Sequence, residues 1–216
     1  MSRTKEELFS VIDHTALKAV VTPSEIDRLC QEAIAYHMAS VCVPSSYVRY
    51  AADRYPGLPI CTVIGFPLGN ASTQAKCLET SQAVSDGASE IDMVIHIGRV
   101  LAGDYAYVED EIRQVKKACE GRILKVIIET CYLDEAQKIR MCGIVSECGA
   151  DYIKTSTGFG TGGALLEDVR LMRLHCSSEV KIKAAGGIRT REDLERFLDA
   201  GANRIGTSGA IAMLTE

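Results

Sequence analysis

Residues 151–163 read DYIKTSTGFGTGG, a short apolar strand that ends on a lysine, Lys154, and runs straight into a loop of glycines and hydroxyls. Two later stretches repeat that form, VKIKAAGG at 180–187 and NRIGTSG at 203–209. Their late position bears on the fold. An open doubly wound sheet carries its glycine-rich phosphate loop early, after the first strand. Glycine-rich turns after the last strands favour a barrel, which often holds phosphate on the loops near the end of the chain.

Five more runs rich in Val and Ile precede these three: VIDHT from Val11, SVCV from Ser40, PICTVIG from Pro59, EIDMVIHI from Glu90 and ILKVIIE from Ile123. The starts lie roughly 20 to 32 residues apart, the spacing of parallel strands joined through helices. Between them lie helix signals. TPSEIDRLCQEAIAYHM opens with Thr22 as N-cap and Pro23 at the first helical position, with Ile26, Leu29, Cys30, Ala33 and Ile34 on one face. Gly121 and Gly149 end two further helical stretches as C′ glycines. Eight strands with helical partners close most simply into an α/β fold, the (β/α)8 TIM barrel, with the open sheet as competitor. No linker, low-complexity tract or charge block divides the chain, so one domain is expected over residues 1–216.

Composition narrows the partners. A net charge of −5 and the lack of any long Lys/Arg run argue against nucleic acid. The start, MSRTKEELFSVIDHTALK, has no apolar core of signal-peptide length, and no stretch is long and apolar enough for a membrane span, so the expected place is the cytoplasm. Nine cysteines, an odd number with no C-x-x-C pair, read as reduced thiols.

Chemistry in a barrel belongs at the C-terminal ends of the strands. Lys154, Lys183 and Asp92 fall there, each inside an apolar run where an unpaired charge is costly. Alternation puts Lys183 on the face opposite Ile182, pointing into the barrel. It likewise puts Glu90, Asp92, Val94 and His96 on one face, with Ile91, Met93, Ile95 and Ile97 toward the helices. One reading is a buried salt-bridge network. The other is a lysine nucleophile, which needs a free amine; at an ordinary pKa of about 10.4 only about one lysine in 2,500 is neutral at pH 7. Burial and a neighbouring cation both favour the neutral form. The glycine clusters suit an anion, because glycine lets backbone N–H groups approach it closely.

Taken together, DHTALK, SVCVP, TVIGFPLG, EIDMVIHIG, LKVIIETC, DYIKTSTGF, VKIKAAGGIRT and RIGTSGA closely resemble the deoxyribose-phosphate aldolases, class I Schiff-base aldolases, along nearly the whole chain. The resemblance implies reversible cleavage of 2-deoxy-D-ribose 5-phosphate to D-glyceraldehyde 3-phosphate and acetaldehyde, with no metal or organic cofactor. It implies Lys154 as the Schiff-base lysine, Lys183 as the cation that tunes it and Asp92 as proton donor and acceptor working with water. Substrate contacts carried over are Asp13, Thr15, Cys42, Gly158, Gly186, Gly187, Gly206 and Ser208. Family habit adds a homodimer. Three positions depart from the pattern: His96 stands for Asn, Leu165 for Thr and Gly209 for a second Ser. The chain ends on AIAMLTE, without the tyrosine-bearing tail of some members, which leaves proton transfer to water or another group. Another lysine-dependent barrel aldolase, or a phosphosugar-binding barrel or isomerase, remains the alternative.

Overall fold

Each of the eight apolar runs forms a strand in the computed structural model, which describes residues 3–215. Met1, Ser2 and Glu216, at the ends of the expected domain, lie outside the described residues. The strands are β1 (Ile12–Thr15), β2 (Ser40–Val43), β3 (Ile60–Ile64), β4 (Glu90–Val94), β5 (Ile123–Ile127), β6 (Tyr152–Lys154), β7 (Lys181–Ala185) and β8 (Arg204–Thr207). They pair in chain order, all parallel, and β8 returns to β1 with Asp13 opposite Gly206. That last pairing closes the barrel and settles the competition with an open sheet. Closure also leaves no strand edge exposed.

Ten α-helices occur among the described residues: α1 (Lys5–Phe9), α2 (Pro23–Ala35), α3 (Val48–Arg54), α4 (Thr73–Ser85), α5 (Ile97–Leu101), α6 (Tyr105–Ala118), α7 (Glu135–Glu147), α8 (Leu166–His175), α9 (Arg191–Asp199) and α10 (Ala210–Thr215). Helix α2 starts as expected: the Thr22 hydroxyl accepts from the Glu25 N–H, and the Glu25 carboxylate accepts from the Thr22 N–H. Its buried face is Ile26, Leu29, Cys30 and Ala33, but Ile34 is 48% exposed, one position past the edge of the apolar stripe. Gly149 takes a positive φ of 66° just beyond α7, as a C′ glycine should. After α6 the left-handed turn begins one residue earlier than expected, at Glu120 with φ 49°, and Gly121 continues it at 82°.

The apolar core lies between strands and helices, where Ile91, Met93, Leu124, Val126, Ile153, Ile182 and Ile205 are fully buried with the helix faces. Each such side chain contributes roughly 1.5–3 kcal/mol. The barrel interior is different: a layer of charged groups replaces the usual aliphatic filling. Strand β4 stops at Val94, so His96 does not continue the inward row. It precedes α5, and its ring packs edge-on against Tyr107 of α6 with centroids 5.7 Å apart. All nine cysteines are free thiols. Among the described residues no helix is long and apolar enough to cross a membrane.

Candidate active site

The register sets Asp92 beside Lys125 and Lys154 beside Lys183, and alternation turns all four into the barrel. Asp92 is the hub. Its Oδ1 accepts from Lys125 Nζ at 2.8 Å, and its Oδ2 accepts from both Lys154 Nζ and Lys183 Nζ at 2.7 Å. Lys183 has a second counter-ion, Asp13 Oδ2 at 2.5 Å. Lys125 also pairs with Glu90 Oε2 at 2.5 Å and approaches Asp13 Oδ2 at 3.5 Å. Below them Arg204 Nη1 contacts Asp13 Oδ1 at 2.5 Å and Glu90 Oε2 at 3.3 Å.

Burial alone pushes the Asp92 carboxyl up, but Lys125, Lys154 and Lys183 outweigh it and hold the group well below the usual carboxylate range. Asp13 follows the same balance, with burial opposed by Lys183, Lys125 and Arg204. Burial works against the Lys183 ammonium, yet Asp13 and Asp92 keep it above the ordinary lysine value. Lys125 is raised in the same way, burial being overcome by Asp92 and the anionic groups around it. Four cationic side chains, Lys125, Lys154, Lys183 and Arg204, thus meet three carboxylates, Asp13, Glu90 and Asp92. With every group ionised, one positive charge is in excess. The carboxylates are divided unevenly, for Lys154 has only the oxygen it shares with Lys183. Lys154 is therefore the least paired cation of the cluster.

Lys154 also borders a cleft of about 650 Å³ at the C-terminal mouth of the barrel. Of the carried-over contact residues, Thr15, Gly158, Gly186, Gly187, Gly206 and Ser208 line it with Lys154. Asp92 and Lys183 sit beneath, fully buried. So does Asp13, whose place is among the cations and against the Ser40 hydroxyl, which donates to it at 2.7 Å. Cys42 is buried beside Cys61 and Val63, under Leu17 and Phe66. The Cys42 thiol is shifted down by its hydrogen bond with Cys61, and burial pushes the Cys61 thiol up.

The glycines have separate reasons. Gly186 has φ 88°, and a Cβ there would lie 3.2 Å from Gly163 Cα and 3.5 Å from Gly158 Cα, so the loops after β6 and β7 touch backbone to backbone. At Gly206 a Cβ would stand 3.1 Å from Lys183 Cε, so this glycine makes room for the lysine. Leu165 faces away from the cleft, into a groove beside Asp168 and Leu174 on α8. The Gly209 N–H is not free for a ligand, because it donates to Thr207 Oγ1 at 3.1 Å.

Two groups of donors have metal-like spacing, Cys42–Cys61–Asp92 and Asp13–Cys61–Glu90. Lys125 Nζ already stands among them, 3.2 Å from Cys61 Sγ, 2.5 Å from Glu90 and 2.8 Å from Asp92. The ammonium is the cation these donors hold. Lys125 and Arg204 were not in the set singled out from sequence, although the signal was present: ILKVI and RIGT each carry one charge in an apolar run. Lys18, Thr157 and Arg189, which also line the cleft, lie in loops where alternation says nothing.

A family model described as DeoC/LacD family aldolase matches residues 8–215. A deoxyribose-phosphate aldolase of Clostridium botulinum is 53% identical over 209 residues, covering 96% of this chain and 95% of that one. One of Clostridioides difficile is 50% identical over 210 residues, covering 97% and 96%. Among solved structures, the tetrameric deoxyribose phosphate aldolase of Aeropyrum pernix superposes with a TM-score of 0.91 at 32% identity, covering 98% of this chain and 91% of that one.

Proposed function

The chain belongs to the DeoC/LacD family of aldolases, carbon–carbon lyases, and on that premise we propose that it is a deoxyribose-phosphate aldolase working through a Schiff base on Lys154. The substrate is 2-deoxy-D-ribose 5-phosphate, and the products are D-glyceraldehyde 3-phosphate and acetaldehyde, a step of deoxyribose breakdown. One observation carries the assignment of the nucleophile. Lys154 is the lysine that both belongs to the buried charge cluster and opens on the cleft, with one shared carboxylate oxygen as its counter-ion.

The free amine of Lys154 adds to the open-chain aldehyde, and loss of water gives an iminium, the electron sink of the reaction. A base takes the C3 hydroxyl proton, the C2–C3 bond breaks, and the electron pair flows to nitrogen to leave a neutral enamine. Asp92, directly or through water, is that base. In the resting site it is a carboxylate held low by three ammoniums, burial acting against them. As the iminium becomes an enamine, one positive charge beside Asp92 vanishes, and the carboxylate gains basicity at the step that needs it. The proton it collects then returns to the enamine carbon, and hydrolysis of the new iminium frees acetaldehyde. Lys183 remains an ammonium throughout, fixed by Asp13, and holds Asp92 in place.

The phosphate is assigned to the rim formed by Gly158, Gly186, Gly187 and Ser208, where glycine backbone comes close and Arg189 adds a cation. Thr15, which also lines the cleft, is assigned to the sugar. Asp13 and Cys42 act from below, as counter-ion and as apolar packing. The reading extends to one domain over residues 1–216, small phosphosugar and aldehyde substrates, no cofactor, and a cytoplasmic homodimer. The tetramer named for the Aeropyrum pernix relative is the competing assembly, and light scattering separates the two.

The test is a coupled assay for glyceraldehyde 3-phosphate release, run beside borohydride reduction with acetaldehyde. Release by the wild type, its loss in Lys154→Leu and a two-carbon adduct on residue 154 are expected. Folded wild-type protein that yields neither product nor adduct overturns the proposal.

A further inference from the structure

Glu129 lies two residues past the end of β5 and, among the described residues, is one of three non-glycine residues with positive φ, at φ 52° and ψ 68°. Residues held in such conformations collect at functional sites, where surrounding contacts over-determine them. Here the contacts are specific. The flanking backbone is tied to β6 and its extension, with the Ile128 N–H donating to Lys154 O at 3.1 Å and the Thr130 N–H to Thr155 O at 2.9 Å. The side chain is 1% exposed, and both carboxylate oxygens turn to one residue. Oε1 accepts the Thr157 N–H at 3.1 Å, and Oε2 accepts the Thr157 hydroxyl in a short bond. The Thr157 oxygen in turn accepts the Phe159 N–H at 3.0 Å.

This relay sorts the donors of the loop after β6. The N–H groups of Thr157 and Phe159 are directed inward, while that of Gly158, between them, takes no part in these bonds. Gly158 lies on the cleft wall with φ 84°. We propose that Glu129 is a positioning residue for the phosphate end of the substrate, acting through Thr157 to present the Gly158 N–H to the anion. The proposal rests on the aldolase reading for its substrate. A carboxylate suits the task because it is all acceptor and meets two donors at once. An amide in its place offers one acceptor and turns an NH2 toward the second donor. Lys154 is held separately, by strand pairing and by Asp92, so the relay governs where phosphate binds and not whether the lysine reacts.

The experiment compares wild type with Glu129→Gln and Thr157→Val on 2-deoxyribose 5-phosphate and on unphosphorylated 2-deoxyribose, and titrates each protein with inorganic phosphate by calorimetry. Either variant should lower the ratio of kcat/KM for the phosphorylated over the unphosphorylated sugar by about tenfold, mainly through KM, and weaken inorganic phosphate similarly. Borohydride trapping of acetaldehyde on Lys154 should persist in both. Should Glu129→Gln not fold, Thr157→Val decides alone. An unchanged ratio with unchanged phosphate affinity, or an equal fall on both sugars, overturns the proposal. Wild type that binds phosphate through this relay but cleaves no sugar phosphate would sink the aldolase reading and leave the loop assignment standing.

Discussion

Lys154 and Lys183 direct their ammonium nitrogens at one carboxylate oxygen, Asp92 Oδ2, each at 2.7 Å. The sharing is unequal, since Lys183 also has Asp13 at 2.5 Å and Lys154 has no second carboxylate in the cluster. Lys183 is thus paired with two carboxylates, while Lys154, paired with one, opens on the cleft.

Replacing Lys183 by Met keeps much of the volume and removes the competing cation. Asp92 Oδ2 then pairs with Lys154 alone, while Oδ1 stays with Lys125, and the Lys154 amine is held more firmly. Borohydride trapping of acetaldehyde at pH 7 should slow by about a hundredfold. Trapping at the wild-type rate at pH 7 would show that Lys183 does not control the nucleophile.

Lys125 is buried among Glu90, Asp92 and Asp13, with no opening to the cleft. Lys125→Met removes the counter-ion that joins Glu90 to Asp92 and should lower unfolding free energy by about 3–5 kcal/mol. Lys154 should still be trapped in whatever fraction folds. Denaturant unfolding and mass spectrometry of the adduct check the two parts.

Gly206 and Gly187 both border the cleft but predict opposite outcomes for alanine. A Cβ at Gly206 would press on Lys183 Cε and Ala185 Cβ, each 3.1 Å away, so Gly206→Ala should cut kcat by about tenfold and cost about 1–3 kcal/mol of stability. At Gly187 nothing lies within 4 Å, and only the positive φ of 81° is unfavourable. Gly187→Ala should therefore cost about 1 kcal/mol and act on KM for the phosphorylated substrate. Steady-state kinetics on both variants distinguishes the cases.

Acid stability follows from the depressed carboxylates. Burial opposes ionisation of Asp13, but Lys183, Lys125 and Arg204 bring its folded pKa below the ordinary value of 3.8. Asp92 is shifted the same way. Below 3.8 the unfolded chain binds these protons first, so the contribution is complete above that pH and is lost as pH falls toward the folded values. Urea midpoints should be level between pH 7 and about 5 as far as these groups are concerned, then drop steeply below about 4. In Asp13→Asn the acid slope should be shallower, with a lower midpoint at pH 7. An unchanged slope would show that Asp13 does not carry the linkage.

The β/α order was legible because it is a local property. Runs such as EIDMV and ILKVI alternate over a few residues, and Thr22 with Glu25 marks a helix start within one turn. Lys154, Lys183 and Asp92 stood out for a related reason, as charges in apolar runs. That same signal, applied to ILKVI and RIGT, reaches Lys125 and Arg204. His96 shows the limit of alternation: the inward row ends where the strand does, at Val94, and sequence periodicity does not mark that end sharply.

The chain's own order of residues determined eight strand–helix units, the inward direction of the charged side chains and the places where backbone had to bend through glycine. Only the folded barrel decided which charge answers which. Asp92 and Lys154 are 62 positions apart, and Asp13 meets Arg204 across 191, through closure of β8 on β1. A period of two is written in neighbouring residues, whereas the choice of counter-ion depends on strand register around a closed ring. The inward bonds of Thr157 were hidden for the same reason, because its partner, Glu129, lies in the loop after a different strand.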